Sequence, residues 1–299
     1  MPDLLSLTLN GLSVGAIYAL IALGMVIVFK ATEVLNFAHP SLLVVGTLIV
    51  ATGHDTFHLP FAASAAIGIF ATALLGVLID RVLVRPFAKK QAIFAAGIMT
   101  IGLSIVINTL NDERIGSNLM STGDPWGSQT VKLLGTTLPS ARVAAFVVAV
   151  VLLIAFYVWL QRSDFGVGMR AAADDPETAS LMGVRLGRVS MTAWAIASGL
   201  AVIAGVFLVS YPNAGLNITV TGVALQAIPA AVLGGLDSTT GAVVGGLAVG
   251  LTQTFASGYQ EQLAFLGRSF SEAAPYILML IVLLIRPAGL FGTKEVSRV

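Results

Sequence analysis

Residues 162–188 read RSDFGVGMRAAADDPETASLMGVRLGR and form a hydrophilic island between two apolar runs, 141–160 and 189–209. Each run matches the about 20 residues a helix needs to cross a bilayer, so the island is a loop emerging on one face of a membrane. Its centre has the chemistry of a short helix. Asp175 suits an N-cap, Pro176 fits the first helical position, where no N–H is needed, Glu177 favours the positive end of the helix dipole, and Gly183 supplies a stop. The spacing predicts a helix of about two turns over 176–182. With Leu181 and Met182 as apolar anchors, it has the form of a knob made for another protein's groove.

The rest of the chain is lipid-compatible. Of its 299 residues, 57% are hydrophobic and 10% charged, far outside the range of soluble domains. One polytopic membrane domain, 1–299, is expected. Glycine occurs 31 times, with GxxxG spacings at Gly11/Gly15, Gly241/Gly245 and Gly246/Gly250, which permit close helix approach in lipid. A formal net charge of +1 without a basic stripe argues against nucleic acid as a partner. The absence of cysteine removes disulfides, thiolate nucleophiles and Cys-type zinc sites together. The N-terminus lacks a basic n-region, and its apolar stretch is too long for a signal peptide, so it reads as a retained first span.

Working outward from the island, apolar spans read at 5–29, 61–83, 92–110, 141–160 and 189–209, with a last one opening at 275–285. The stretch 37–51 is short for a crossing, and Asn36 and Pro40 before it suggest a helix that starts inside the membrane edge. Residues 111–140 are the longest polar connection, able to carry a short hairpin or to lie as a lid. After Gly222 come two short segments, interrupted by Gln226 and Pro229 and separated by Gly234-Gly235 and Asp237, which suggest a broken or re-entrant pair. The expected fold is all-α and polytopic, with about eight transmembrane helices. A cytoplasmic island puts Lys30, Arg81, Arg85, Lys89, Lys90, Arg162, Arg170, Arg185, Arg188, Arg286, Lys294 and Arg298 inside, against Arg114, Lys132, Arg142 and Arg268 outside. Twelve against four favours that orientation, with the N-terminus outside and the C-terminus inside.

Polar groups inside a membrane are costly enough to suggest function. Asn36, His39, Gln226 and Asp237 are the candidates for a solute path. Each also has a plainer role: Asn36 and Asp237 as helix caps, His39 at the interface, and Gln226 as a bond to a neighbouring helix. His54 and His58 stand at i, i+4 beside Asp55, but the short loop and Pro60 favour a solvated turn over a metal site. No serine has a plausible His/Asp pairing, so no catalytic residues and no metal are expected, and the chain does not read as an enzyme. No G-x-x-x-x-G-K-[ST] phosphate loop occurs, so the chain lacks the usual P-loop site for ATP.

The island resembles the coupling loop of ABC importer permeases, whose signature is Glu-Ala-Ala, three residues, Gly. Here Glu177-Thr178-Ala179 precedes Ser180-Leu181-Met182-Gly183, with threonine in place of the middle alanine. The upstream Gly166-Val-Gly-Met-Arg-Ala-Ala-Ala-Asp-Asp175 is similar to the loop of LivH-type branched-chain amino acid permeases. The resemblance continues in Asn36-Phe37-Ala38-His39, in Ala230-Ala231-Val232-Leu233-Gly234-Gly235-Leu236 with Gly241-Ala242, and in Arg286-Pro287-Ala288-Gly289-Leu290-Phe291-Gly292. Pro40 departs from the glycine usual after Asn-Phe-Ala-His.

The resemblance implies a permease of the bacterial inner membrane that imports branched-chain or other hydrophobic amino acids. It implies pairing with a second, related permease, two ATPase subunits that bind the ATP, and a periplasmic substrate-binding protein, with no cofactor in the chain itself. It also implies ATPase contacts through Leu181 and Met182, with Arg170, Asp174, Asp175, Pro176, Glu177, Ala179 and Gly183 shaping or rimming the knob. Urea, short amides or another small organic solute is the alternative cargo within the family. A secondary transporter or channel without ATPases is the alternative from another class.

Overall fold

The helix at the centre is α1 (Leu4–Thr32), whose side chains are buried almost without interruption from Gly15 to Val28. Its sequence is apolar on every face, as suits a helix surrounded by protein. The computed structural model describes residues 4–88, 92–117, 119–123, 125–127, 129–133, 135–210, 215–267 and 269–293. Against α1 pack α12 (Thr239–Gly258), α9 (Leu186–Ser210), α6 (Ser140–Arg162) and α2 (His39–Asp55), with α3 (Phe61–Ile79) behind them on α2 and α9 and α5 (Ile93–Ile115) on α2. A π-helical turn (Asp80–Val84) and α4 (Arg85–Ala88) continue α3, making one rod. Two short helices, α7 (Asp164–Asp174) and α8 (Pro176–Leu181), fill the island. The chain then runs through α10 (Val220–Leu225), α11 (Ile228–Gly234), α12 (Thr239–Gly258), a 3-10 turn (Ala264–Leu266) and α13 (Phe270–Ile285).

The chain is thus an all-α polytopic membrane protein. Five helices among the described residues are long and apolar enough to cross a bilayer: Leu4–Thr32, Phe61–Phe87, Phe94–Ile115, Ser140–Arg162 and Leu186–Ser210. The shorter α2, α10–α11 and α13, and the 20-residue α12, complete the bundle. The sole sheet among the described residues is a hairpin, β1 (Thr130–Leu133) antiparallel to β2 (Thr136–Pro139), in the long polar connection.

Two ends of the bundle can be told apart. At one end lies the hairpin connection, where Met120 bridges Leu216, Asp55 Oδ2 accepts from Ser121 N at 3.0 Å, and Trp126 stacks on Phe207. At the other lie the island, the end of α1 and the turn after α11, where Lys30 Nζ donates to Asp237 O at 2.8 Å. The segment after Gly222 therefore runs from the hairpin end to the island end. α12 returns, since its Gly258 faces Leu7. The pair is two traverses, with the break between α10 and α11 falling at Gln226–Ala227. The basic residues Lys89, Lys90, Arg268, Lys294 and Arg298 lie outside the described residues.

Glycines set the tightest seam. A Cβ on Gly15 would come within 2.8 Å of Leu247 Cα, and Gly246 and Gly250 of α12 abut the backbone of Ala19 and of Gly11 and Gly15 on α1. Gly241 and Gly245 of the same helix meet Gly234 and Ala230 of α11. All three GxxxG spacings are thus spent on backbone-to-backbone contact, the packing that holds helices together in lipid.

The start of α2 lies within the bundle. His39 sits against Gly24, eight residues before the end of α1 and so about 12 Å along the helix from it. The connection 33–38 is tied down by protein, because Asn36 Oδ1 accepts from Ala38 N at 3.1 Å and Thr100 Oγ1 of α5 accepts from Phe37 N at 3.1 Å. Irregular backbone at this depth requires such partners.

Candidate functional site

The island is a two-helix device braced on α6. Ser163 caps α7, its Oγ accepting from Gly166 N at 3.1 Å. The chain then doubles back so closely that a Cβ on Gly166 would collide with Leu160 O. Arg170 Nη1 donates to the same Leu160 carbonyl at 3.0 Å, and Phe165 stacks on Trp159 with ring centroids 5.0 Å apart. Met169 and Ala172 turn inward and are buried. The sequence predicts only α8 here, and the structure adds α7. The amphipathic spacing of Phe165, Met169 and Ala172 after a Ser163 cap was the signal for α7.

α8 begins where the residues dictate. Asp175 Oδ1 accepts from Glu177 N at 3.0 Å and Thr178 N at 3.1 Å, while Thr178 Oγ1 donates to Oδ2 at 2.6 Å. These bonds, the Thr178 hydroxyl first, hold the Asp175 carboxyl below the usual carboxylate range. The helix ends in a Schellman turn: Val184 N donates to Ala179 O, Gly183 N donates to Ser180 O, and Gly183 takes φ +91°. Ala179 is buried, whereas Asp174 and Glu177 are exposed. Leu181 and Met182 are 87% and 82% exposed, pointing away from the bundle rather than back into it.

The four intramembrane candidates are not gathered at one place. Gln226 Oε1 lies 3.0 Å from the Tyr18 hydroxyl and accepts from Gln253 Nε2, and Tyr18 donates to Gln253 Oε1 at 2.7 Å. Tyr18 and Gln253 line a cavity of about 450 Å³, with Asn10, Ser13 and Arg142 nearer the hairpin end and Val14, Ile17 and Phe207 among its apolar walls. Asn36 and His39 are buried by α1, α2 and α5 on another side. Asp237 belongs to the island-end turn, where its Oδ2 accepts from Thr293 N at 2.8 Å and from the Thr293 hydroxyl.

One polar cluster went unread in the sequence. Asp80, in the π turn, is fully buried; its Oδ1 accepts from the Ser190 hydroxyl of α9, and Arg85 Nη2 approaches its Oδ2 at 3.5 Å. Arg85 also donates to Gly187 O. The available signal was a lone carboxylate inside the apolar stretch 61–83 with an arginine five residues on.

A bundle of traversing helices with buried polar groups, carrying a capped helix on a loop at one end, is the build of a membrane transport subunit. Residues 7–285 match the family described as branched-chain amino acid transport system / permease component, and the chain belongs to that family of transport permeases. It is 29% identical to the high-affinity branched-chain amino acid transport system permease protein LivH of Escherichia coli K12, over 97% of this chain and 96% of that one. It is also 29% identical to BraD, the corresponding permease protein of Pseudomonas aeruginosa, over the full length of both. The solved structure of PsaBC from Streptococcus pneumoniae in complex with Fab covers 94% of this chain and 92% of its own, at 12% identity and a TM-score of 0.47, too distant to define the fold.

Proposed function

We propose that this chain is the permease subunit of an ATP-binding-cassette importer of the inner membrane, moving branched-chain or other hydrophobic amino acids into the cytoplasm. Energy comes from two separate ATPase subunits, which bind the ATP. A second, related permease completes the pore, and a periplasmic binding protein delivers the solute. The observation that carries this reading is α8: a helix capped at both ends whose two large apolar side chains face solvent. Exposure of this kind beside a polar rim suits a protein groove. Arg170 braces the device on α6, and Asp174 and Glu177 are the rim.

The described basic residues at the island end include Lys30, Arg162, Arg170, Arg185 and Arg188, against Arg114, Lys132 and Arg142 at the hairpin end. This asymmetry supports a cytoplasmic island, an outer N-terminus and an inner C-terminus. For the solute path, Gln226 with Tyr18 and Gln253 is the strongest of the candidates, since it stands behind a cavity with both polar and apolar walls; Asn36, His39 and Asp237 are the others.

The test is uptake of labelled leucine into proteoliposomes holding both permeases and both ATPases, with binding protein outside and ATP inside. Uptake that needs all components and ATP is expected. Uptake by the purified chain alone, driven by an ion gradient, overturns the reading. A binding screen on the partner binding protein then fixes the cargo, and full wild-type uptake by Gln226→Leu removes that residue from the path.

A further inference from the structure

The buried Asp80 cluster joins two helices at the level of the island. Asp80 and Arg85 lie on the rod formed by α3, the π turn and α4, whereas Ser190 and Gly187 belong to the opening turns of α9. A Cβ on Gly187 would come within 2.7 Å of the Arg85 guanidinium, so glycine leaves the seat that the arginine occupies. Only Met182 to Arg185 separate α8 from α9, and that link is held by the Schellman turn. Displacement of α8 is therefore passed on its C-terminal side to the turn the cluster grips, as on its N-terminal side it is passed to α7 across Asp175 alone.

Beneath the island the packing is open. A cavity of about 430 Å³ separates the cluster from α7 and α8, with Asp80, Arg85 and Ser190 on one side and Ala172 and Pro176 on the other. Movement of α8 is thus not blocked by a solid floor. Movement of α9 away from the rod is resisted, because it would strand a buried carboxylate without its partners. Farther along, a Cβ on Gly76 would lie 2.9 Å from Trp194 O and would also collide with the Ser198 hydroxyl, so the rod and α9 stay in close contact beyond the cluster.

We propose that Asp80, Arg85 and Ser190 are positioning residues that form the joint through which movement of α8 becomes rigid-body movement of the α3–α4 rod and α9. The proposal rests on the reading of α8 as the ATPase contact. π turns are frequent at functional sites, and a buried ionisable group in a membrane helix is a functional candidate on energetic grounds.

The experiment measures ATP hydrolysed per leucine imported, in proteoliposomes of the complete importer, for D80N, S190A and the double variant D80N/R85Q. The double variant removes both charges and so leaves no lone buried ion. Assembly with the ATPases is expected to be unchanged by pull-down. ATP consumed per leucine is expected to rise about tenfold in D80N and D80N/R85Q, the scale of one lost charge-assisted hydrogen bond, and about threefold in S190A. A merely structural role would lower assembly, hydrolysis and uptake together and leave the ratio at its wild-type value. That result, in any variant that assembles, overturns the proposal. Should D80N fail to accumulate, D80N/R85Q and S190A decide. If the wild-type chain neither binds ATPases nor shows ATP-dependent uptake, the underlying reading of α8 has failed; a wild-type importer that works while the variants keep its ratio refutes the joint alone.

Discussion

Truncation of Leu181 and Met182 to alanine separates docking from folding. Both side chains are more than four-fifths exposed, so nearly all of their transfer free energy is unused within the chain. Each loses about three heavy atoms, and at about 0.8 kcal/mol per methylene, scaled by the exposed four-fifths or more that a groove would newly bury, the pair forfeits about 4 kcal/mol. That corresponds to about a thousandfold weaker association with the ATPase subunit. Anchors of this type, central and ringed by polar residues, carry a disproportionate share of interface energy. Stability should change little, within about 0.5 kcal/mol, because exposed side chains away from special features contribute little to folding. The assay is a titration of labelled ATPase against the detergent-solubilised chain, with thermal unfolding measured in parallel. A dissociation constant within threefold of wild type, with uptake intact, would refute the reasoning, since no other large apolar side chains of α8 or its C-terminal turn are exposed to take their place.

Asp175→Ala should speed amide exchange over α8 about fivefold, the scale of a lost N-cap, without changing exchange in α1. Because hydrogen bonds depress the Asp175 pKa in the folded chain, the cap's contribution is fully present above the unfolded-state value and is lost as pH falls through the folded one. Exchange of the α8 amides, corrected for intrinsic rates, should therefore be flat around neutrality and rise only in acid below the ordinary carboxylate range. Gly183→Val places a β-branched residue at φ +91°, a strain of about 1–2 kcal/mol; ATPase pull-down should fall while the bundle stays folded. Gly250→Leu drives a side chain into the backbone of Gly15, an overpacking cost of at least about 3 kcal/mol. It should abolish monodisperse protein in size-exclusion chromatography, whereas Gly97→Ala, with open space around it, should behave as wild type.

What was legible in the sequence follows from how local its physics is. The ends of α8 are set within nine residues by Asp175, Pro176 and Gly183, and the structure has that helix with both caps. The early start of α2 was likewise readable from Asn36 and Pro40. Which span sits at the centre was not readable. α1 and α6 both read as continuous apolar runs, yet 83% of the apolar window of α1 is buried by protein and 17% of that of α6, because lipid and protein interior select the same residues. The GxxxG spacings announced close approach, but the pairing of Gly11 and Gly15 with Gly246 and Gly250 depends on register across more than 200 residues. Asp80 and Arg85 were hidden by helix geometry. Five residues apart at about 100° each, their side chains diverge by about 140° on an α-helix. The i→i+5 bond from Arg85 N to Asp80 O, made in the π turn, adds the residue that brings them together.

The same contrast governs how force can travel through the molecule. The seam of α1 with α12 is made of backbone against backbone, so neither helix can shift without losing contacts that no side-chain rotation replaces. α8, in contrast, packs mainly on α7 and the start of α9 and faces a cavity on the membrane side. A push on Leu181 and Met182 thus meets a stiff centre and a compliant edge. Its way into the bundle runs along the elements bound to that edge, α7 through Arg170 to the end of α6, and α9 through Ser190 and Gly187 to the α3–α4 rod. Displacement of α6 and the rod against a stationary α1–α12 pair is therefore the relative motion to measure. Spin labels at exposed Ile154 and Leu78, read against labels on α12 in the assembled importer with and without ATP, should change separation, whereas a pair confined to α1 and α12 should keep its distance. Equal shifts in both pairs would mean that the seam is not the fixed frame its glycine packing implies, and no shift in either would mean that α6 and the rod do not move against it.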